Sequence, residues 1–223
     1  MINDFVSLLF PRCCAISGEP LAKGEQYISL SYAASMPRYD LTIANENLNR
    51  KFSGIVKVEH VWAYYKFSKK SGVQKLLHQI KYKNLPEVGE LASKWFGQNI
   101  SRLGVDLDLV LPVPLHPAKK RKRGYNQADY IAKGIATGLQ INWSDEVLVR
   151  TVNTSTQTKK GRIERFNNTE NIYAVSDPNM IIGKKILIVD DVITTGATIG
   201  QCAQLLLDAG CKEVNVAALA AAE

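Results

Sequence analysis

Two adjacent carboxylates, Asp190 and Asp191, follow the apolar run Ile186–Val189, and Val192, Ile193, Thr194, Thr195, Gly196, Ala197 and Thr198 come next. These residue types suit two neighbouring parts of one ligand. Where a strand gives way to a helix, free backbone N–H groups and the helix dipole favour an anion. Gly196 permits a close backbone approach, and the hydroxyls of Thr194, Thr195 and Thr198 add donors around a phosphate. The paired acids would repel a phosphate placed on them, and suit instead a group with hydroxyls to donate. A ribose 5-phosphate meets both requirements. Thr198 alone would serve as a helix N-cap, and Asp191 alone as a polar strand end. Two like charges side by side at a strand end oppose folding, which favours a ligand site for the group as a whole. Neither Gly-Lys-Ser/Thr nor Gly-x-Gly-x-x-Gly occurs in this stretch, which argues against a P-loop or a dinucleotide site.

The surrounding chain supplies elements that can position such a site. Residues 54–67 alternate, with Val61, Ala63 and Tyr65 on one side, and predict a strand. Val73, Leu76, Leu77 and Ile80 recur at helical spacing after a Ser71 cap, and a second helix follows Pro86. Residues 108–115 form a short buried strand and 127–139 a helix. Short strands are expected over 146–151, 184–191 and 213–221, with a helix over 198–210 that ends at Gly210. The alternation predicts an α/β fold with a parallel, twisted sheet flanked by helices. Ligands of such sheets bind at the carboxyl ends of the strands, where Asp190 lies. Residues 1–54 mix Ser, Asn, Pro and Gly without periodicity and read as a small N-terminal lobe, residues 55–223 as the main domain.

Composition narrows the class. With 223 residues and 46% hydrophobic content the chain can build a sizeable core. Its apolar runs are too short to cross a membrane. The first residues lack a basic region and their apolar run stops at Pro11, so no signal peptide and no membrane partner are expected. Four cysteines without even spacing suit a reducing cytoplasm. The net charge of +7 fits anionic partners or a lysine-rich solvated surface. Its distribution says more: Lys119, Lys120, Arg121, Lys122 and Arg123 form one run, and Lys159, Lys160, Arg162 and Arg165 a second cluster.

Ile186–Thr198 as a whole resembles the PRPP-binding motif of type I phosphoribosyltransferases. The resemblance implies that Asp190 and Asp191 bind the ribose hydroxyls, with Val192 between them and the loop. Thr194, Thr195, Gly196, Ala197 and Thr198 then hold the 5-phosphate. Three further stretches, 76–92, 111–128 and 150–175, resemble the ComF/GntX branch, the competence-protein-like phosphoribosyltransferases. Lys81 and Tyr82 match its Leu-Lys-Tyr stretch. Arg123, Gly124, Asn126 and Gln127 match its Arg-Gly-Tyr-Asn-Gln segment, and with His116, Lys119 and Arg121 are candidates for the pyrophosphate side. Read alone, Lys119–Arg123 would be a solvated turn. Arg150, Thr154, Gln157, Arg162, Arg165 and Asn168 match the branch's polar segment, and its composition suits a lid that excludes water, or a plain surface loop. Lys81 is read as a solvated helix lysine in preference to a phosphate ligand, and His78 as a helix-surface residue.

The implied activity is pentosyl transfer, within nucleotide metabolism: ribose 5-phosphate moves from PRPP, with Mg²⁺, to an unidentified acceptor, and pyrophosphate is released. A link to DNA uptake follows from the branch. The alternative is a non-catalytic competence factor that binds PRPP, a nucleotide or single-stranded DNA, or that partners competence proteins. Relatives of this branch usually begin with two Cys-x-x-Cys pairs, as in a zinc ribbon. Here Ser17 stands opposite Cys14, and Ser29 and Tyr32 occupy the second pair, so no structural zinc is expected. Cys202 and Cys211 read as core residues.

Overall fold

The computed structural model describes residues 11–151 and 172–222. In chain order, α1 (Leu30–Ser35) and α2 (Glu46–Arg50) precede β1 (Val61–Phe67), α3 (Gly72–Tyr82) and α4 (Pro86–Ser101). Next come β2 (Leu109–Pro112), α5 (Pro117–Arg123), α6 (Gln127–Leu139), β3 (Asn142–Trp143) and β4 (Leu148–Arg150). β5 (Tyr173–Val175), β6 (Lys185–Ile193), α7 (Ala197–Asp208) and β7 (Glu213–Ala222) complete the described chain. Five strands form a parallel sheet in the order β1-β7-β6-β2-β3.

Strand periodicity builds the two faces of that sheet. Val110, Leu187, Val189, Ala217 and Leu219 point to one side, into a core shared with Leu76 of α3, Phe96 of α4 and Ile131 of α6. Their neighbours Leu109, Leu111, Ile186, Ile188 and Val216 point to the other, against Ile199, Cys202 and Leu206 of α7. Ser71 caps α3 by accepting from Gln74 N at 3.2 Å, as its place before the apolar period predicts. α4 and α6 meet through glycines. A Cβ on Gly97 would strike the carbonyl of Ile135, and one on Gly134 the carbonyl of Glu90.

The β6–α7–β7 and β2–α6–β3 units run outward in opposite directions from the β2/β6 pair, with their helices on opposite faces. The strand order therefore reverses between β2 and β6, and a crevice opens there at the strands' carboxyl ends. The register Pro112↔Val189 brings Val113 and Asp190 to its two lips.

Three elements differ from expectation. The strand expected over 146–151 exists as β4, but it pairs antiparallel with β5 outside the main sheet. The two-residue β3 holds the sheet edge instead. The basic run is not a turn but helix α5, with Pro117 in its first turn and Gly124 at φ 88° ending it. Its cations crowd the C-terminal half, where they complement the helix dipole.

The N-terminal lobe packs onto the domain. Ile16, Ile28, Ala33 and Met36 join the core of α3 and α4, while Leu48 and Phe52 join that of α7. Backbone bonds Tyr39 N to Tyr64 O (3.1 Å) and Lys66 N to Pro37 O (2.9 Å) cover the free edge of β1. Cys14 is buried, and its Sγ accepts from Ser17 N at 3.5 Å and Ser29 N at 3.4 Å.

Candidate active site

β6 ends at Ile193, and α7 begins after a turn whose cap, Gly196, sits at φ 78°. Glycine is required there twice over. The conformation is left-handed, and a Cβ would lie 3.0 Å from Lys51 O and 3.2 Å from the Phe52 ring. Lys51 also donates to Thr194 O at 2.8 Å, so the N-terminal lobe braces the loop. Thr194, Thr195, Ala197 and Thr198 are exposed, and the loop lines a hollow of about 50 Å³ that reaches Val192 and Asp190. Thr195 Oγ1 accepts from Ala197 N at 3.4 Å.

The period of two sends the adjacent acids to opposite sides of the sheet. Asp191 follows Leu187 and Val189 toward α3, where Lys81 Nζ lies 2.6 Å from its Oδ2. Asp191 is 5% exposed, so this ion pair is shielded from solvent. Asp190 lies on the other side, with Tyr173 and Cys202 within its electrostatic reach. Its Oδ1 accepts from Asp191 N at 2.7 Å. Burial first, and the charge of Asp191 second, push the Asp190 carboxyl up to about 7.

A cavity of about 300 Å³ joins both acids and Thr198 to His116, Lys119, Arg123, Gln127, Arg150 and Lys81. His116, Lys119 and Arg123 are spaced by three and four residues, which puts them on one side of α5. Arg123 is fixed by a hydrogen bond to Gln127 Oε1 and lies 5.7 Å over the exposed ring of Tyr82. His116 Nδ1 caps α5 by accepting from Ala118 N at 3.1 Å. Arg150 donates to Tyr173 Oη at 3.1 Å and stacks over that ring.

The remaining candidates for the pyrophosphate side do not line this cavity. Arg121, Gly124 and Asn126 line a neighbouring cavity on the far side of α5. Asn126 is buried and structural: its Oδ1 accepts from Ala128 N (3.2 Å), and its Nδ2 donates to Val113 O (3.1 Å) and Asp129 Oδ1 (2.6 Å). Of the lid residues only Arg150 is described; Thr154, Gln157, Arg162, Arg165 and Asn168 lie outside the described residues. Lys81 departs from the solvated role expected of it, because α3 turns it onto Asp191. The sequence offered a signal in the Lys81-Tyr82 pair, and none for Lys51 or Tyr173. His78 is exposed as expected, with its ring 5.1 Å from that of Tyr82.

Among the described residues no three His, Cys, Asp or Glu side chains gather to hold a metal, and no helix is long and apolar enough to cross a membrane. Their cysteines are all free.

Residues 125–223 match the phosphoribosyl transferase domain family. The DNA utilization protein YhgH of Escherichia coli O157:H7 is 32% identical over 146 residues, which are 63% of this chain and 63% of that protein. Competence protein F of Haemophilus influenzae is 33% identical over 116 residues, 52% of this chain and 51% of that one. The chain thus matches less than two thirds of the length of these relatives. The solved "structure of the allosteric regulatory enzyme of purine biosynthesis" superposes with a TM-score of 0.41 at 22% identity, over 57% of this chain and 25% of that one. Over part of its length the chain is thus similar to a phosphoribosyl transferase domain and to relatives named for DNA utilization and competence.

Proposed function

We propose that the protein transfers ribose 5-phosphate from PRPP to an acceptor and releases pyrophosphate. The observation that carries this reading is one crevice lined by the Asp190–Asp191 pair, the 194–198 loop and the cationic side of α5. The loop amides and hydroxyls suit the 5-phosphate, and the acids the ribose hydroxyls. Lys119, Arg123 and His116 face the cavity where a leaving pyrophosphate would carry its charge. In the reaction the acceptor's lone pair forms a bond to C1. The C1–O bond to pyrophosphate breaks, its electron pair leaves with pyrophosphate, and the acceptor gives up a proton.

Two carboxylates without a third ligand fit Mg²⁺ held jointly with a substrate, not a closed protein cage. Asp190 and Asp191 would hold it, and it would supply neutralisation of leaving-group charge. Lys81 compensates the charge of Asp191 without it. No structural zinc is part of this reading, since Ser17, Ser29 and Tyr32 stand where three of the four thiolate ligands would be needed. The free cysteines suit a reducing cytoplasm.

The test is calorimetric titration of the full chain with PRPP and Mg²⁺, then a screen of acceptors for pyrophosphate release. Saturable PRPP binding that Asp190→Asn with Asp191→Asn abolishes is expected. Absence of binding to the unaltered chain would sink the proposal.

A second reading, a single-stranded DNA-binding factor in DNA uptake, is favoured by one surface. Tyr82 is 68% exposed beside Arg123, at the mouth of the cavity and next to the cations of α5. Such interleaving of ring and cation suits stacked bases and a phosphate backbone. The names of the relatives concern DNA utilization and competence. Salt-sensitive binding of an oligo-dT strand that Tyr82→Ala weakens, and that the acid substitutions leave intact, would favour it.

A further inference from the structure

The loop that would cradle the 5-phosphate carries no cation of its own. From Val192 to Ile199 there is no lysine, arginine or histidine. A phosphate in its hollow of about 50 Å³ would be met by backbone N–H groups and hydroxyls. The direction of each loop peptide then matters, because a reversed peptide replaces a donor with a carbonyl oxygen.

One residue from outside the loop fixes one of these peptides. Asn45 caps α2 by accepting from Leu48 N at 3.1 Å. Leu48 and Phe52, four residues apart and 2% and 1% exposed, sink into the core of α7. Lys51 lies between these two anchors and meets the loop twice. Its carbonyl oxygen abuts Gly196, 3.0 Å from where a Cβ would stand, and its Nζ donates to Thr194 O at 2.8 Å. Lys51 lines neither the hollow nor the cavity around the acids. The carbonyl that it holds is therefore turned to the outside of the loop. The 194–195 peptide is trans, so its N–H, on Thr195, points the opposite way, into the hollow. Among the described residues that N–H meets no acceptor.

We propose that Lys51 is a positioning residue for phosphate: by holding the Thr194 carbonyl outward it keeps the Thr195 N–H aimed at the ligand. The identity of that ligand as a 5-phosphate rests on the transferase reading above. The N-terminal lobe is then part of the site without touching substrate. Displacing α2 frees the peptide to turn and loosens the hold on phosphate, while the cations of α5 stay in place.

The experiment uses the full chain. Ribose 5-phosphate and, separately, pyrophosphate with Mg²⁺ are titrated by calorimetry, and the backbone resonances of Thr194 and Thr195 are followed by NMR. Lys51→Met keeps most of the stem and removes the donor. It should weaken ribose 5-phosphate about tenfold and pyrophosphate by less than about twofold. The Thr194 carbonyl and Thr195 amide resonances should move in this variant before any ligand is added. Lys51→Arg, which keeps a donor, should restore ribose 5-phosphate to within about threefold. Unchanged ribose 5-phosphate affinity in Lys51→Met would overturn the proposal. So would equal losses for both ligands, or a loss with the free-state resonances unmoved, which would make Lys51 a direct phosphate contact. All three leave the transferase reading standing, because the unaltered chain still binds the sugar phosphate. An unaltered chain that binds neither ribose 5-phosphate nor PRPP would overturn that reading and this proposal with it.

Discussion

The two cavities beside α5 are built from one run of consecutive cations. Around the acids, Lys119, Arg123 and His116 meet carboxylates and hydroxyls, and almost every wall is charged or polar. On the far side Lys120 and Arg121 meet prolines, Leu148 and Val149. Lys122 lines neither cavity and is exposed. The difference teaches that a run of like charges has no single role once it becomes a helix. A turn of about 3.6 residues deals neighbouring residues to different surfaces. In a strand the same lesson applies with a period of two, and it separates Asp190 from Asp191.

Experiments that remove one cavity's chemistry and spare the other probe this contrast. The largest effect is expected from Asp190→Asn combined with Asp191→Asn. Pyrophosphate release should fall by about a thousandfold or more, since the sugar hydroxyls and any shared cation lose their ligands. Release that survives the double substitution, with the circular dichroism spectrum unchanged, would remove the acids from the reaction.

A smaller effect comes from a pair of arginines two residues apart. Arg123→Ala should weaken PRPP about tenfold, through loss of a charged partner inside the sugar cavity. Arg121→Ala should leave PRPP affinity within about twofold. Equal effects of the two on PRPP, by calorimetry at one salt concentration, would dissolve the division of α5 into two sides.

The smallest effect concerns stability. Burial, and then the charge of Asp145, hold the Asp129 carboxyl up at about 6, against the opposing pull of Lys120 and Asn126. The folded chain then binds a proton more readily than the unfolded chain between about pH 4 and 6. That contribution to stability is present below this window and is lost as pH rises through it. It amounts to about 2 kcal/mol, from two pKa units at about 1.4 kcal/mol each with some discount for exposure. Asp129→Asn should flatten this part of the Tm-against-pH profile, and an unchanged slope would remove the buried carboxylate from the account.

The elements that carry the acid pair and the 194–198 loop were legible because their signals are local. The buried run before Asp190, the Thr-Thr-Gly turn and the apolar period of α7 all lie within one short stretch. What was not legible depends on partners far away in sequence. Lys81 reads as solvated until the packing of α3 brings it to Asp191, 110 residues further on. Helix α5 ends at a left-handed Gly124, but a run of five cations suggests solvent before it suggests helix. The two-residue β3 has no periodicity to detect, and it displaced β4 from the place that its own pattern implied. Asn126 matched the family pattern, and the structure adds a second duty that the pattern did not show, the N-cap of α6.

The contact of α4 and α6 through bare backbone fixes which parts of the crevice can move. With Gly97 against Ile135 and Gly134 against Glu90, no clearance is left for even a methyl group between the helices. α6 starts at Gln127 and carries Asp129, whereas α4 follows directly on α3, which carries Lys81. Lys81, which grips Asp191, and Gln127, which holds Arg123, are thus mounted on one keel. Domain-scale opening between them would have to shear that seam, so motion at the crevice falls to side chains and loops working against a rigid hull.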